Sequence, residues 1–194
     1  GNQLNTSIET YGPEFTEGVS EVQDLWVYNY KNINRANTLI SRAAAVETPG
    51  DYAATIDIRV AEAKFIRSLS FFYLVQQFGD IPMPLVETNS ANKEVTRVPS
   101  AEVYAQIITD LTEAEAALPV SSSNYGRATK GAAQHLLARV YLTRGWNFNN
   151  ALGGTAADFT SAREYADKVI VAYPMVADYK DLFPKKSEDP TNQT

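Results

Sequence analysis

Residues 71–87 read FFYLVQQFGDIPMPLVE. The stretch decides the fold because it joins two incompatible backbones. Its first half is apolar on most sides, which is the pattern of a helix buried between neighbours. Gly79 ends that helix, since glycine tolerates the left-handed conformation a helix C-terminus needs. Pro82 and Pro84 then forbid helix and favour an extended path. A greasy helix is therefore expected to hand the chain to a stiff strap, with at most one short strand between residues 79 and 98.

Working outward, the helix that ends at Phe78 begins near Asp51, whose carboxylate can accept the first backbone N–H bonds. Pro49-Gly50 separates it from an earlier helix spanning 19–46. That helix carries Val22, Leu25, Trp26, Tyr30, Ile33, Leu39, Ile40 and Ala43 at steps of three and four, with one wider gap at Ala36/Asn37. Downstream of the strap, Ser100 is read as the cap of a third helix, with Glu102 in its first turn and Val103, Tyr104, Ile107, Ile108, Leu111, Ala114 and Leu118 as its stripe. Pro119 stops it. Thr129 caps a fourth helix, which is expected to end at Gly145 with Ala132, Ala133, Leu136, Leu137, Val140 and Tyr141 on its face. The loop WNFNNALGGTAA follows. A fifth helix is expected over 159–172, closed by Pro174.

The chain has 194 residues, 44% of them hydrophobic, enough for a real core. Its net charge of −6 argues against nucleic acid, which needs a clustered basic surface. Cysteine is absent, so disulfides and thiolate chemistry are excluded. No apolar run reaches the 18 or so residues that cross a bilayer. The opening GNQLNTS has no charged-then-apolar leader, so any export signal is expected to have been removed or never present. No phosphate-cradling, dinucleotide or nucleophile-elbow motif occurs, and no cofactor is expected.

Helices in pairs suggest a repeat. KGAAQHLLARVYLTRG followed by FTSAREYADKVIVAYP is similar to one tetratricopeptide unit, with small residues Ala133, Ala138, Gly145, Ala162 and Ala166 where two helices must approach and a proline closing the second. Its inter-helix loop is about ten residues longer than the usual 34-residue repeat allows. The expected fold is all-α, built of antiparallel tetratricopeptide-like helix pairs in an α-α superhelix with long irregular connections. Residues 1–18 read as an N-terminal arm, 19–174 as the helical domain, and 175–194 as the start of a connection.

Four ordered stretches carry a family resemblance: WVYNYKNINRANTLISRA (26–43), AEAKFIRSLSFFYLVQQFGDIPMPLVE (61–87), RVPSAEVYAQIITDLTEAEAALP (97–119) and GRATKGAAQHLLARVYLTRG (126–145). In order and spacing they resemble the SusD/RagB family of outer-membrane nutrient-binding lipoproteins. The resemblance implies a binding protein and not an enzyme. It implies lipid tethering on the outer face of the outer membrane, capture of glycan or peptide, and transfer to a SusC-like TonB-dependent transporter. Such proteins are two to three times longer and carry a lipid-bearing cysteine. A portion of a longer protein is therefore expected, with much of the ligand site elsewhere. Two functional classes stay open: a nutrient-capture protein, with glycan ahead of peptide, and a helical-repeat scaffold that binds a protein and no nutrient.

A sugar site needs flat aromatics against pyranose C–H faces, and amides that bond hydroxyl pairs. The loop GWNFNNALGG supplies Trp146 and Phe148 among Asn147, Asn149 and Asn150, in a segment without helical period. Its alternative use is for Trp146 to cover the end of the helix pair. The arm supplies Tyr11 and Phe15, which could equally pack on a neighbouring part of the protein. Trp26 lies on an apolar stripe and reads as core. His135 is the only histidine and lacks a partner at ligand spacing, so a packed or half-exposed structural role is expected. The strap reads as scaffold, with the alternative that Asp80 or the prolines touch a partner.

Overall fold

The structure is a computed structural model and describes residues 19–43, 45–46, 52–90, 95–178 and 180. Among the described residues five α-helices follow one another: α1 Ser20–Ala43, α2 Ala53–Phe78, α3 Ser100–Ala117, α4 Lys130–Trp146 and α5 Ala156–Ala172. Among the described residues the only β pairing is an isolated antiparallel bridge between Ile81 and Val98. Each helix packs on the next. Trp26 near the start of α1 meets Phe78 at the end of α2. Ser68 and Phe72 of α2 face Ile107 and Tyr104 of α3. The ring of Tyr173, just past α5, lies over Gly131 at the start of α4. Neighbours therefore run antiparallel, and the all-α, paired-helix expectation holds.

The core lies where α2 is enclosed by α1 and α3. Ile33, Phe71, Phe72, Leu74, Val103, Tyr104, Ile107, Leu111, Leu137 and Val140 are all buried there. The wide gap in the α1 stripe has a physical explanation, because Ala36 and Asn37 face inward at that point and Asn37 is fully buried. The outer helix α5 is thinner in apolar contact. Ala162 is buried, but Ile170 and Val171 are exposed.

Helix ends account for most departures from the sequence reading. The first helix spans Ser20–Ala43 and not 19–46. Asp51, read as the cap of α2, lies outside the described residues; the α2 N-cap position is Tyr52. Thr129 caps α4 as expected, its hydroxyl accepting from the Ala132 N–H. Gly79 follows α2 with φ +68°, a sign that favours glycine, but its ψ of −127° takes the chain out of the left-handed helical well and into the strap. Gly145 does not end α4. The helix runs through Trp146, and Asn147 is the left-handed C-cap. Gly145 is instead a point of close approach, where a Cβ would meet the Phe159 ring at 3.0 Å. The fifth helix starts at Ala156, three residues earlier than expected, because Thr155 and Asp158 form a capping box.

Ser100 is the first residue of α3 and not its cap. The cap position is Pro99, which has no side-chain acceptor to offer. The acceptor comes from the strap. Asp80 Oδ1 takes the Ser100 N–H and the Ser100 hydroxyl, both at 2.8 Å. Asp80 thus satisfies an orphan donor of a helix that begins twenty residues further on. Those hydrogen bonds, with Arg97 nearby, hold its carboxyl below the ordinary value of 3.8.

The strap is stitched to α1 by side chains. Prolines bring carbonyls but no N–H, so the donors must come from the helix. The Tyr30 hydroxyl donates to the Pro82 carbonyl at 2.7 Å, and the Asn37 amide to those of Pro84 and Val86 at 2.9 and 3.1 Å. Asn34 donates to the Thr88 carbonyl and accepts its N–H, while Arg42 forks onto Glu87. Tyr30, Asn34 and Asn37 recur at steps of four and three and so share one helix face, with Arg42 reaching the strap's end from beside it. Beneath them Arg67 of α2 is only 5% exposed. Its guanidinium donates twice to Asp110 of α3, at 2.7 and 2.8 Å, and also to Asn37 Oδ1 and the Leu85 carbonyl. The strap is tied to α1, α2 and the start of α3, which are the contacts a scaffold role needs.

Two predictions follow from these contacts. Asp110→Ala strands a buried guanidinium and should cost about 3–5 kcal/mol in denaturant unfolding, whereas the paired change Arg67→Met with Asp110→Leu should cost less than that single one. A double variant less stable than Asp110→Ala would contradict this. For Asp80 the folded carboxyl is depressed, so its contribution is present above the ordinary value of 3.8 and is lost as pH falls through the lower folded value. Asp80→Ala should lower the thermal midpoint at pH 7 and shrink the difference from wild type on going to pH 3. Equal differences at both pH values would refute the cap.

Candidate functional site

Residues 147–154 form the connection from α4 to α5, and one carboxylate closes both ends of it. Asp158 is 2% exposed. Its Oδ1 accepts from Arg144 Nε in the last turn of α4 at 2.8 Å, and its Oδ2 accepts from the Thr155 N–H at 2.7 Å. Arg144 also lies over the Tyr141 ring, which stacks on Tyr165 with centroids 5.8 Å apart. Inside the loop, Asn147 Oδ1 accepts the Leu152 N–H at 3.0 Å, and Leu152 packs on the core. A Cβ on Gly154 would stand 1.8 Å from the Arg144 carbonyl oxygen, so only glycine fits at that crossing.

The backbone here is wound unusually tightly. Two successive i to i+3 hydrogen bonds, Asn150 N–H to the Asn147 carbonyl and Ala151 N–H to that of Phe148, wind what the sequence reading treated as plain loop. Asn147, Asn149 and Asn150 hold φ of 42°, 54° and 56°. No other described non-glycine residue has a positive φ. Asparagine tolerates this region better than most side chains, yet the arrangement still costs energy and persists only where surroundings enforce it. Such strain clusters at functional sites.

The two candidate aromatics, Trp146 at the last position of α4 and Phe148 on this loop, are held outward. Trp146 is 72% exposed and Phe148 75% exposed. Trp146 does touch the helix pair, edge-on to Phe159 with centroids 6.1 Å apart. It leaves most of its surface to solvent, so covering the helix end accounts for only part of it. The loop therefore brings Trp146, Asn147, Phe148 and Asn149 together on one short connection. Tyr11 and Phe15 lie outside the described residues.

The remaining sequence candidates fall elsewhere. His135 is exposed, more so than a packed role required, on the α4 side of a groove shared with Phe159 and Ile170. Among the described residues no group of three His, Cys, Asp or Glu side chains is placed to hold a metal. Trp26 is half-buried, tilted on Tyr30 at 4.8 Å and edge-on to Phe78 at 5.0 Å. Sequence reasoning missed that the Trp26 and Tyr30 rings border a groove of about 480 Å³ between α1 and the strap, lined also by Pro82, Met83 and Thr88. Burial drives the Tyr30 hydroxyl far above the ordinary phenol range, against the opposing pull of Arg97. The signal was present as alternate prolines, whose rigid carbonyl edge leaves a trough beside the helix. No helix among the described residues is long and apolar enough to cross a membrane.

Comparison with known proteins fits this architecture. A SusD-like family described as "Starch-binding associating with outer membrane" matches residues 2–142. SusD-like protein P2 of Formosa agariphila is 33% identical over 77% of this chain, and the starch-binding protein SusD of Bacteroides thetaiotaomicron is 31% identical over 68% of it. The chain spans only 27% and 23% of the lengths of those two relatives. A SusD superfamily protein from Parabacteroides distasonis superposes with a TM-score of 0.76 at 31% identity, covering 86% of this chain and 35% of that one. A structure determined with a xylogluco-oligosaccharide superposes with a TM-score of 0.74 at 29% identity, over 87% and 33% of the two chains. With the family match extending from the arm into α4, this chain belongs to the SusD-like family.

Proposed function

We propose that this chain is the helical portion of a cell-surface glycan-binding protein, which captures oligo- or polysaccharide at the outer membrane and delivers it to a TonB-dependent transporter. Family membership supports capture: the matching family is described as starch-binding and outer-membrane-associated, and one similar structure was solved with a xylogluco-oligosaccharide. Binding, orientation and release suffice for such a role, and no bond of the cargo is made or broken.

The observation that carries a local contact is the last residue of α4, Trp146, with the wound loop 147–154 that follows it. Together they hold two aromatic rings out into solvent and offer amides beside them. A pyranose presents a C–H face and an edge of hydroxyls. An aromatic ring suits the first and an asparagine amide the second. Exposing large apolar rings costs hydrophobic free energy, so a rigid loop that keeps them exposed is well suited to meeting a ligand. Pre-paid order in the loop also lowers the entropic cost of binding. Trp146, Phe148, Asn147 and Asn149 are the proposed contacts.

Calorimetry of the full-length protein against starch, laminarin and xyloglucan oligosaccharides tests this reading. Trp146→Ala should weaken binding of the preferred glycan by about 1–2 kcal/mol, roughly tenfold, with thermal stability little changed. If a glycan binds and the substitution leaves its affinity intact, capture stands and the loop assignment falls. Gly154→Ala should weaken binding similarly through the loop, since the Arg144 carbonyl forces the backbone to rewind. A variant with native affinity would show that loop geometry is irrelevant to binding.

A further inference from the structure

A column of stacked charged and aromatic groups joins the two helices that carry the loop and reaches back to α3. Each helix contributes a cation over the ring three residues before it. On α4 the Arg144 guanidinium lies over the Tyr141 ring, 5.5 Å from its centre. On α5 the Lys168 ammonium lies over the Tyr165 ring, 4.2 Å from its centre. Between the helices the two rings stack, with centroids 5.8 Å apart and planes only 10° from parallel. Carboxylates close the column at both ends. Glu115 of α3 lies 3.5 Å from Lys168 and accepts from the Gln134 amide at 2.8 Å. Asp158 meets Arg144 at the other end, where the loop enters α5.

The use of Arg144 at that end is unusual. An arginine–carboxylate pair commonly forks across both oxygens. Here Nε and Nη2 both donate to Oδ1 of Asp158. Oδ2 is thereby left to the Thr155 N–H. A guanidinium turned to fork across both oxygens would compete with that N–H and loosen the tie between the loop and α5. The backbone of Arg144 meets the loop as well, since its carbonyl stands against Gly154. An arginine left to itself samples many rotamers, whereas one laid over a ring is restrained. Tyr141 supplies that restraint, Tyr165 holds Tyr141, and Lys168 holds Tyr165 in turn.

We propose that Tyr141 and Tyr165 are positioning residues for the loop. By stacking they keep Arg144 on one oxygen of Asp158, and so fix how Trp146 and Phe148 are presented without themselves touching a ligand. For its consequence in binding the inference rests on the glycan reading of the loop; for the shape of the loop it does not.

The full chain carrying Phe148→4-trifluoromethylphenylalanine tests it by fluorine NMR. The otherwise unaltered chain should give one resonance, displaced from its position in denaturant. Tyr141→Leu and Tyr165→Leu should each split that resonance or return it toward the unfolded position. Tyr141→Phe keeps the stack and should leave it in place. Ile33→Val loosens the core at α1 and should also leave it in place, which separates loss of positioning from loss of stability. Against the glycan preferred by the full-length protein, Tyr141→Leu should bind roughly fivefold more weakly and Tyr141→Phe with native affinity. A resonance unmoved by both leucine variants would overturn the proposal. So would a starting resonance already at the unfolded position, or an Ile33→Val shift as large as theirs. A moved resonance with unchanged glycan affinity would uphold the positioning role and sink the glycan reading of the loop.

Discussion

A guanidinium taken out of water must find all its partners nearby, and Arg67 finds them in three separate parts of the chain. Asp110 comes from α3, Asn37 from α1 and the Leu85 carbonyl from the strap. The desolvation cost is offset only when every one of these is in position. That requirement fixes the spacing of three helices more sharply than apolar contact could, because hydrocarbon surfaces tolerate sliding and a forked hydrogen bond does not. Asn37 extends the constraint by turning its amide to the strap carbonyls. The strap is thereby held along its length by polar side chains, although its own backbone offers few donors.

The contrast with α5 is instructive. There the buried polar anchor is the Asp158 carboxylate, along with a more exposed Lys168–Glu115 ion pair, and the apolar stripe leaves Ile170 and Val171 in solvent. The first four helices share a densely connected buried centre, while α5 meets α4 through small residues and aromatic stacking. Variation in the α4–α5 connection can therefore change what the surface presents without disturbing the Arg67 centre. An exposed loop on a rigid frame is a usual way to evolve a binding surface.

Much of this was legible in the sequence. Apolar residues at three-and-four spacing marked each helix, since burial of one face leaves a periodic trace. The helical ends were less legible. Ser100 looked like a cap because caps are normally local, and nothing in the neighbouring residues reveals that Asp80 supplies the acceptor from across the bridge. Asn37 looked like a break in an apolar stripe because a buried amide is only intelligible beside its partners. Around the loop, the aromatic and asparagine content singled out residues that the structure holds close together at one helix connection. The left-handed conformations at Asn147, Asn149 and Asn150 did not show, since asparagine is also ordinary in loops.

The Asp80 contact also bears on the order of assembly. A helix whose first N–H is satisfied by its own preceding residue can nucleate from local sequence alone. α3 cannot complete its first turn in that way, because Pro99 offers nothing and the acceptor waits at the end of α2. The loop from Ile81 to Val98 must close before the helix start is secure, and closure of that length is an entropic toll paid early. Strap docking and α3 formation are thus one kinetic event, and the middle of this protein should gain its structure as a unit and not helix by helix.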